Sequence, residues 1–226
     1  MTNVHIFGDS WSYRSFQKLP DFKEVFGTLT FQHLFQQQDI LATNHSQQSS
    51  SNQQTIKNIN STKFGSNDVV IVFQTDPLRD IFDRKEFRQL GDPVVPNQTL
   101  RFVAEQRLQE FYQKLSTIDQ SIVLIGGLSC LAHDLIPPTI ITMEKSWTEL
   151  VSPGFQDCYF EWQEFAELVH DVVKCSDDFT PTRRQIQTKN GVWQNSDAFG
   201  WCHPSDLGYT LMFDNLIRLL NSKELL

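Results

Sequence analysis

Asp68-Val69-Val70-Ile71-Val72-Phe73 is the stretch that decides the fold. Its apolar residues follow one another without alternation, and four of them are β-branched. A strand built from them offers no face to water. Strands of that kind belong to parallel sheets covered by helices on both faces, and the run closes at the polar turn Gln74-Thr75-Asp76-Pro77.

Other runs with strand character flank it on both sides. Val4, Ile6 and Phe7 form a short apolar segment that breaks at Gly8, Ile40 to Thr43 form a second, and Ser121 to Ile125 a fourth that ends at Gly126-Gly127. Thr139 to Met143, behind Pro137-Pro138, suggests a fifth strand at an edge. Helical spacing separates them: Phe22 to Gln38, with the helix starting near Thr28, a weak helix through Ile56 and Ile59, Leu100 to Leu115, and Phe160 to Val173. Residues 44–54 read as a polar loop with no packing signal, 78–97 as a Pro-bounded excursion, and 176–200 as a long surface connection. Strands alternating with helices predict an α/β fold, a three-layer α/β/α sandwich with a mostly parallel five-stranded sheet of flavodoxin-like type. The 226 residues suit a single domain spanning 1–226.

Composition narrows the function. A formal net charge of −8 with no Lys/Arg run leaves no clustered positive face for nucleic acid or an anionic membrane. No stretch approaches the length of an apolar membrane span, and no basic segment followed by an apolar one opens the chain. The expectation is a soluble, cytoplasmic protein. Cys130, Cys158, Cys175 and Cys202 are widely spaced and form no CxxC pair, which argues for reduced thiols and against zinc.

Two short motifs near opposite ends carry the chemistry. Gly8-Asp9-Ser10-Trp11-Ser12 is the loop after the first strand, and in an open parallel sheet ligands bind at such carboxyl ends. Ser10 is the candidate nucleophile there. His203-Pro204 stands directly before an amphipathic final helix, and His203 is the candidate base, since an imidazole can take a hydroxyl proton and return it to a leaving group. Asp and Ser after a Gly are also ordinary turn and capping residues, so it is the pairing of the two ends that argues for catalysis.

Gly8-Asp9-Ser10 together with His203-Pro204 resembles the GDSL or SGNH hydrolase family. The resemblance implies that Ser10 accepts an acyl group, that His203 is its base, and that no cofactor or metal is required. It also implies an orienting Asp three residues before the His, where this chain has Gly200; Asp197 is the nearest substitute, the rival being a Ser–His dyad. Three oxyanion donors are implied: the Ser10 N–H, a residue after the second strand, and one after the third. Ser49 stands where the family shows Gly, and Thr75 where it shows Asn, with the Gln74 amide as the alternative donor. Asp9 and Trp11, beside the nucleophile, complete the candidate site, and Trp11 offers a ring for stacking on a sugar. The expected substrate is a small-molecule or carbohydrate ester. A binding domain that has lost the rate, or an O-acyltransferase, would fit the same residues.

Overall fold

In a computed structural model of the chain, the residues described are 2–9, 12, 29–47, 50–75, 77–80, 97–127, 131–147, 150, 199–200, 203–204 and 206–226; of these, 78–79, 97–101, 199–200, 203–204 and 206–207 are described by their backbone alone. Strands β1 (Asn3–Phe7), β2 (Leu41–Asn44), β3 (Val69–Gln74), β4 (Ser121–Gly126) and β5 (Ile141–Thr142) form one five-stranded sheet in the order β2-β1-β3-β4-β5, every pairing parallel. All six residues of β3 are buried, as its uninterrupted apolar run predicts for a central strand.

The α-helices among the described residues are α1 (Phe31–Gln36), α2 (Asn52–Ser61), α3 (Asn97–Leu115) and α4 (Asp206–Ser222). Successive residues of a strand face opposite ways, so Phe73 and Gln74 mark the two sides of the sheet. Phe73 stacks on Phe31 of α1 at 4.9 Å between ring centroids, whereas Gln74 accepts a hydrogen bond from the Tyr112 hydroxyl of α3. Phe35 of α1 meets Phe213 of α4 edge-on at 4.9 Å, which puts α1 and α4 in one layer, and α2 lies beside α3 in the other. The chain moves one way along the sheet from β1 to β2, past α1, and the opposite way from β2 to β3 and β4, past α2 and α3. Reversing direction while changing face keeps every crossover of one hand. The reversal makes the gap between the carboxyl ends of β1 and β3 the topological switch point, where open α/β sheets bind ligands.

The sequence-based boundaries shift in ways with physical causes. The second strand runs Leu41–Asn44, one residue beyond the expected Ile40–Thr43, because the backbone continues to track β1: the His45 N–H donates to Ile6 O at 2.7 Å and the Gln47 N–H to Gly8 O at 3.1 Å. Helix α1 begins after Thr30, whose hydroxyl accepts from the His33 N–H at 3.2 Å. It closes through Asp39 at φ 57°, a left-handed position an Asp tolerates. The fifth strand shrinks to two residues, at the sheet edge as expected. The expected helix 160–173 lies outside the described residues. So does the connection 176–200, apart from Phe199–Gly200, which pairs antiparallel with His203–Pro204 in a small ribbon. None of the helices described is long and apolar enough to cross a membrane.

An aromatic box docks α4 on the sheet. Trp147 is fully buried and meets Phe31, Phe73 and Tyr209 at centroid distances of 5.1, 5.4 and 4.9 Å, and its indole N–H donates to Gly208 O at 3.0 Å. Aromatic pairs in such tilted and edge-on arrangements add to the stabilisation from area alone. Trp147→Phe keeps most of the ring packing and removes the bond to Gly208, so we expect a loss of about 1–2 kcal/mol. Urea unfolding of both proteins, with an unchanged m value, checks it; an unchanged midpoint would mean the indole bond contributes nothing.

Candidate active site

Gly8 ends β1 with φ 155°, a conformation that favours glycine, and a Cβ there would stand 2.9 Å from Phe73 Cβ and collide with Ser12 Oγ. That close approach lets the loop after β1 lie against the end of β3. Ser12, completely buried, donates from its hydroxyl to Ser46 Oγ at 2.8 Å and lies 3.1 Å from Asp9 O. From the end of β2, Asn44 Nδ2 donates to Ser12 O at 2.7 Å, while Asn44 Oδ1 accepts from the Ser46 N–H at 2.9 Å. The polar stretch from Asn44 is therefore the bracket that holds the first loop, not an unpacked loop as its composition suggested.

The end of β3 is held as firmly. Asn52, the first residue of α2 and 1% exposed, accepts from the Thr75 N–H through Oδ1 and donates to Thr75 O through Nδ2, both at 3.0 Å. One side chain thus gives Thr75 the paired bonds that a neighbouring strand would have given. Thr75 Oγ1 donates to Asp9 Oδ2 at 3.0 Å, joining the two loops across the switch point. Gly127, one residue past β4, donates its N–H to Gln74 O at 3.3 Å and has no room for a Cβ, which would lie 2.8 Å from the same oxygen.

Asp80, at the close of the turn Pro77–Asp80, reaches back to α2 and accepts from the Gln53 N–H at 2.9 Å, supplementing the N-cap Ser51, whose hydroxyl accepts from the Gln54 N–H at 3.3 Å. Burial raises the Asp80 carboxyl above the usual range, against the lowering effect of the Gln53 N–H, the neighbouring Ser51 and Asn52 side chains, and Arg107. Burial likewise pushes the Tyr112 hydroxyl up, so Tyr112 stays neutral and donates to Gln74 while its oxygen accepts from the Ala132 N–H at 3.3 Å.

Of the residues the sequence singles out, the structure brings Asp9, Gln74 and Thr75 together as buried groups at the carboxyl ends of β1 and β3. Ser10, Trp11, Ser49 and Asp197 lie outside the described residues, and His203 is described by its backbone in the ribbon before α4. Both donors of Thr75 are engaged, the N–H by Asn52 and the hydroxyl by Asp9, so Thr75 acts on its surroundings through Asp9. Sequence reasoning missed Asn44, Ser46 and Asn52. The signal was a run of Asn and Ser placed directly after one strand and at the start of a helix, where such side chains serve backbone groups. Among the described residues no cluster of three or more His, Cys, Asp or Glu is arranged to hold a metal ion.

No family model matches the chain, and no curated protein sequence matches it. Solved structures do match along nearly its whole length. One is a member of the lipolytic protein G-D-S-L family from Veillonella parvula, 14% identical, covering 98% of this chain and 99% of its own at a TM-score of 0.46. Another is the psychrotrophic esterase EstA from Pseudoalteromonas sp., 14% identical over 97% of this chain and 98% of that one, TM-score 0.43. A third, an alpha/beta hydrolase enzyme from the metagenome of Lake Arreo, is 11% identical over 97% and 94%, TM-score 0.46. Likeness at this level carries no argument about chemistry, which has to come from the chain's own residues.

Two substitutions test the architecture of the site. Asn52→Ala strips a buried N–H of its acceptor and a buried carbonyl of a donor, and should lower stability by about 2–4 kcal/mol in chemical denaturation. Asp80→Asn addresses the raised carboxyl. A folded pKa above the unfolded value of about 3.9 means that the folded chain binds more protons, so stability falls as pH rises through the window between the two. The Asn variant escapes that fall. Relative to wild type it should gain stability as pH rises from the unfolded carboxyl value through the raised folded one and hold the gain above that; a difference that stays flat would contradict the shift.

Proposed function

We propose that the chain is a serine hydrolase of ester bonds in which Ser10 attacks the carbonyl carbon and His203 accepts the Ser10 proton. The observation that carries the reading is convergence. Phe73, the residue before Gln74 and Thr75, lies in the aromatic box with Trp147 and Tyr209, and Trp147 holds Gly208. The first turn of α4 is thereby fixed beside the carboxyl end of β3. His203 precedes Gly208 by five residues, a reach of at most about 18 Å. Ser10 follows directly on Asp9, which Thr75 holds at the same end of the sheet. With His203 within that reach of the rim and Ser10 next to Asp9, the two motifs can meet there, which supports a nucleophile with its base.

In this proposal His203 gives its proton to the leaving alkoxide, water then attacks the acyl-Ser10, and His203 serves again as base and acid. Asp197 orients the imidazole. The Ser10 and Ser49 N–H groups, with Gln74 or Thr75, stabilise the oxyanion. Thr75 joins them directly only by releasing Asp9, so its first task in the proposal is to position Asp9 and the start of the nucleophile loop. Small acyl or carbohydrate O-acetyl esters are the proposed substrates, with Trp11 beside the nucleophile as the stacking ring.

The engagement of both Thr75 donors favours a second reading, a carbohydrate-binding domain with little catalytic power. Labelling with a fluorophosphonate, read by intact mass on wild type, Ser10→Ala and His203→Ala, separates the two. We expect one adduct on wild type that is lost in Ser10→Ala and slowed by a factor of about 10³ or more in His203→Ala. A folded wild type that takes no label would overturn the hydrolase reading and leave the binding domain.

A further inference from the structure

A second chain of polar groups crosses the sheet at a place the proposed reaction does not use. Asp68, the residue before β3, accepts a hydrogen bond from His5 Nε2 at 3.0 Å, and His5 Nδ1 lies 2.9 Å from Nε2 of His45, just past β2. His5 is 5% exposed and sits in the middle of β1; His45 is half-buried. The rings hold the line straight. His45 stacks on Phe7 at 4.7 Å and 11° and lies at 5.2 Å and 14° to His5, and Phe64 meets His5 edge-on at 5.0 Å.

The proton positions follow from the order of the chain. The Gly65 N–H, at 2.6 Å, is the foremost of the contacts that hold the Asp68 carboxyl below its usual range, with His5 and the Asn3 N–H adding to it. An ionised Asp68 only accepts, so His5 carries its proton on Nε2 and presents the Nδ1 lone pair to His45. His45 therefore carries its proton on Nε2 and keeps a lone pair on Nδ1. Asn3 agrees with this assignment. Its Nδ2 lies 2.9 Å from His5 Nε2, while its buried Oδ1 has no partner. The two ends of the amide are an assigned choice, and with Oδ1 turned toward Nε2 it accepts from the Nε2–H, which it then shares with Asp68.

Asp68 is the one carboxylate in contact with the pair among the described residues. Lys57 of α2, Lys63 after it, and Asp39 in the turn before β2 are all exposed. Burial, and secondarily His5, lower the affinity of His45 for a proton, so the imidazole stays neutral at pH 7.

We propose that Asp68, His5 and His45 form a relay that makes His45 Nδ1 a nucleophilic site for an activated carbonyl carbon. When Nδ1 forms a bond to that carbon, the bond from the carbon to its leaving group breaks and the leaving group departs with the electron pair. The cationic ring then passes its Nε2 proton to His5 Nδ1, which leaves a neutral acyl-imidazole on His45 and an imidazolium at His5 paired with Asp68. The arrangement puts His45 where a hydroxyl stands in a Ser–His–Asp triad. It does not depend on Ser10, and Ser10→Ala leaves it intact.

Diethyl pyrocarbonate at pH 7, with peptide mapping by mass spectrometry, tests the site, its leaving group being ethyl carbonate. His33 and His133 are exposed, so exposure alone predicts that they react before His45. The relay predicts the reverse, with His45 about tenfold faster. Asp68→Asn should bring His45 down to or below the rate of the exposed pair without changing theirs. That variant also loses a carboxylate bonded to Gly65 and Asn3, so a second measurement stands apart from it: nitrogen-15 chemical shifts of wild-type His45 should show the proton on Nε2 and the lone pair on Nδ1. A wild-type His45 slower than His33 and His133, a folded Asp68→Asn that reacts like wild type, or an Nδ1–H tautomer would each overturn the proposal.

Discussion

A parallel strand that stops inside a protein leaves buried N–H and C=O groups with no further strand to pair them, and at Thr75 this obligation falls on one side chain, Asn52. The rest of the rim follows from that pairing. With its backbone fixed, Thr75 can aim its hydroxyl at Asp9, and with Asp9 held, the loop after β1 has a defined start. Asn52 is also the first residue of α2, whose next N–H is met by Asp80 from the loop after β3. The helix that covers one face and the loop that closes the switch point are thus positioned by the same few buried polar contacts. Unlike an apolar contact, an amide that satisfies both a donor and an acceptor has essentially one good orientation.

The buried polar groups of β1 and β3 are few. Asp9, Gln74 and Thr75 lie at the carboxyl ends, His5 lies in the middle of β1 opposite Val70, and between His5 and Asp9 the pairs Ile6–Ile71 and Phe7–Val72 are apolar. This separates two hydrogen-bonded systems that share β1. A buried polar group is costly unless each of its atoms is met, and a short connected chain meets that demand with fewer groups than scattered singles would. Both systems are chains of this kind: Asn52–Thr75–Asp9 at the rim and Asp68–His5–His45 across the middle of β1.

The apolar layer was legible because burial on both faces leaves a direct trace in composition. The unbroken run at 69–73, the strand at 121–125 and the break at Gly8 all read through to the sheet. What did not read through was polar packing. Asn44 to Gln54 has the composition of a solvated loop, and whether Asn44 or Asn52 faces water or clamps a neighbour depends on a chain segment 32 or 23 residues away. His5 is a similar case. Within its strand it breaks an apolar run and looks like a residue on an edge, yet it is buried because Asp68 and His45 come from two other segments to meet both its nitrogens. Side-chain hydrogen bonds between distant segments have no period in sequence, whereas burial of a whole element does.

The same distinction bears on the departures from the GDSL pattern. A Thr in place of an Asn at the end of β3 reads, residue by residue, as the loss of an oxyanion donor. In the folded chain Thr75 has another occupation, since its hydroxyl holds Asp9 and its backbone is held by Asn52. An amide at position 75 carries two N–H donors, so it could point one outward only while using the other to hold Asp9. Asn44, Ser46 and Ser12 hold the start of the same loop from the β2 side. Under the proposed function, Thr75 fixes Asp9, the neighbour of the proposed nucleophile, where the family pattern has an amide, and Asn52 pins the Thr75 backbone that makes this contact possible. Position 75 and position 52 form one unit, and neither can be understood from its own place in the sequence.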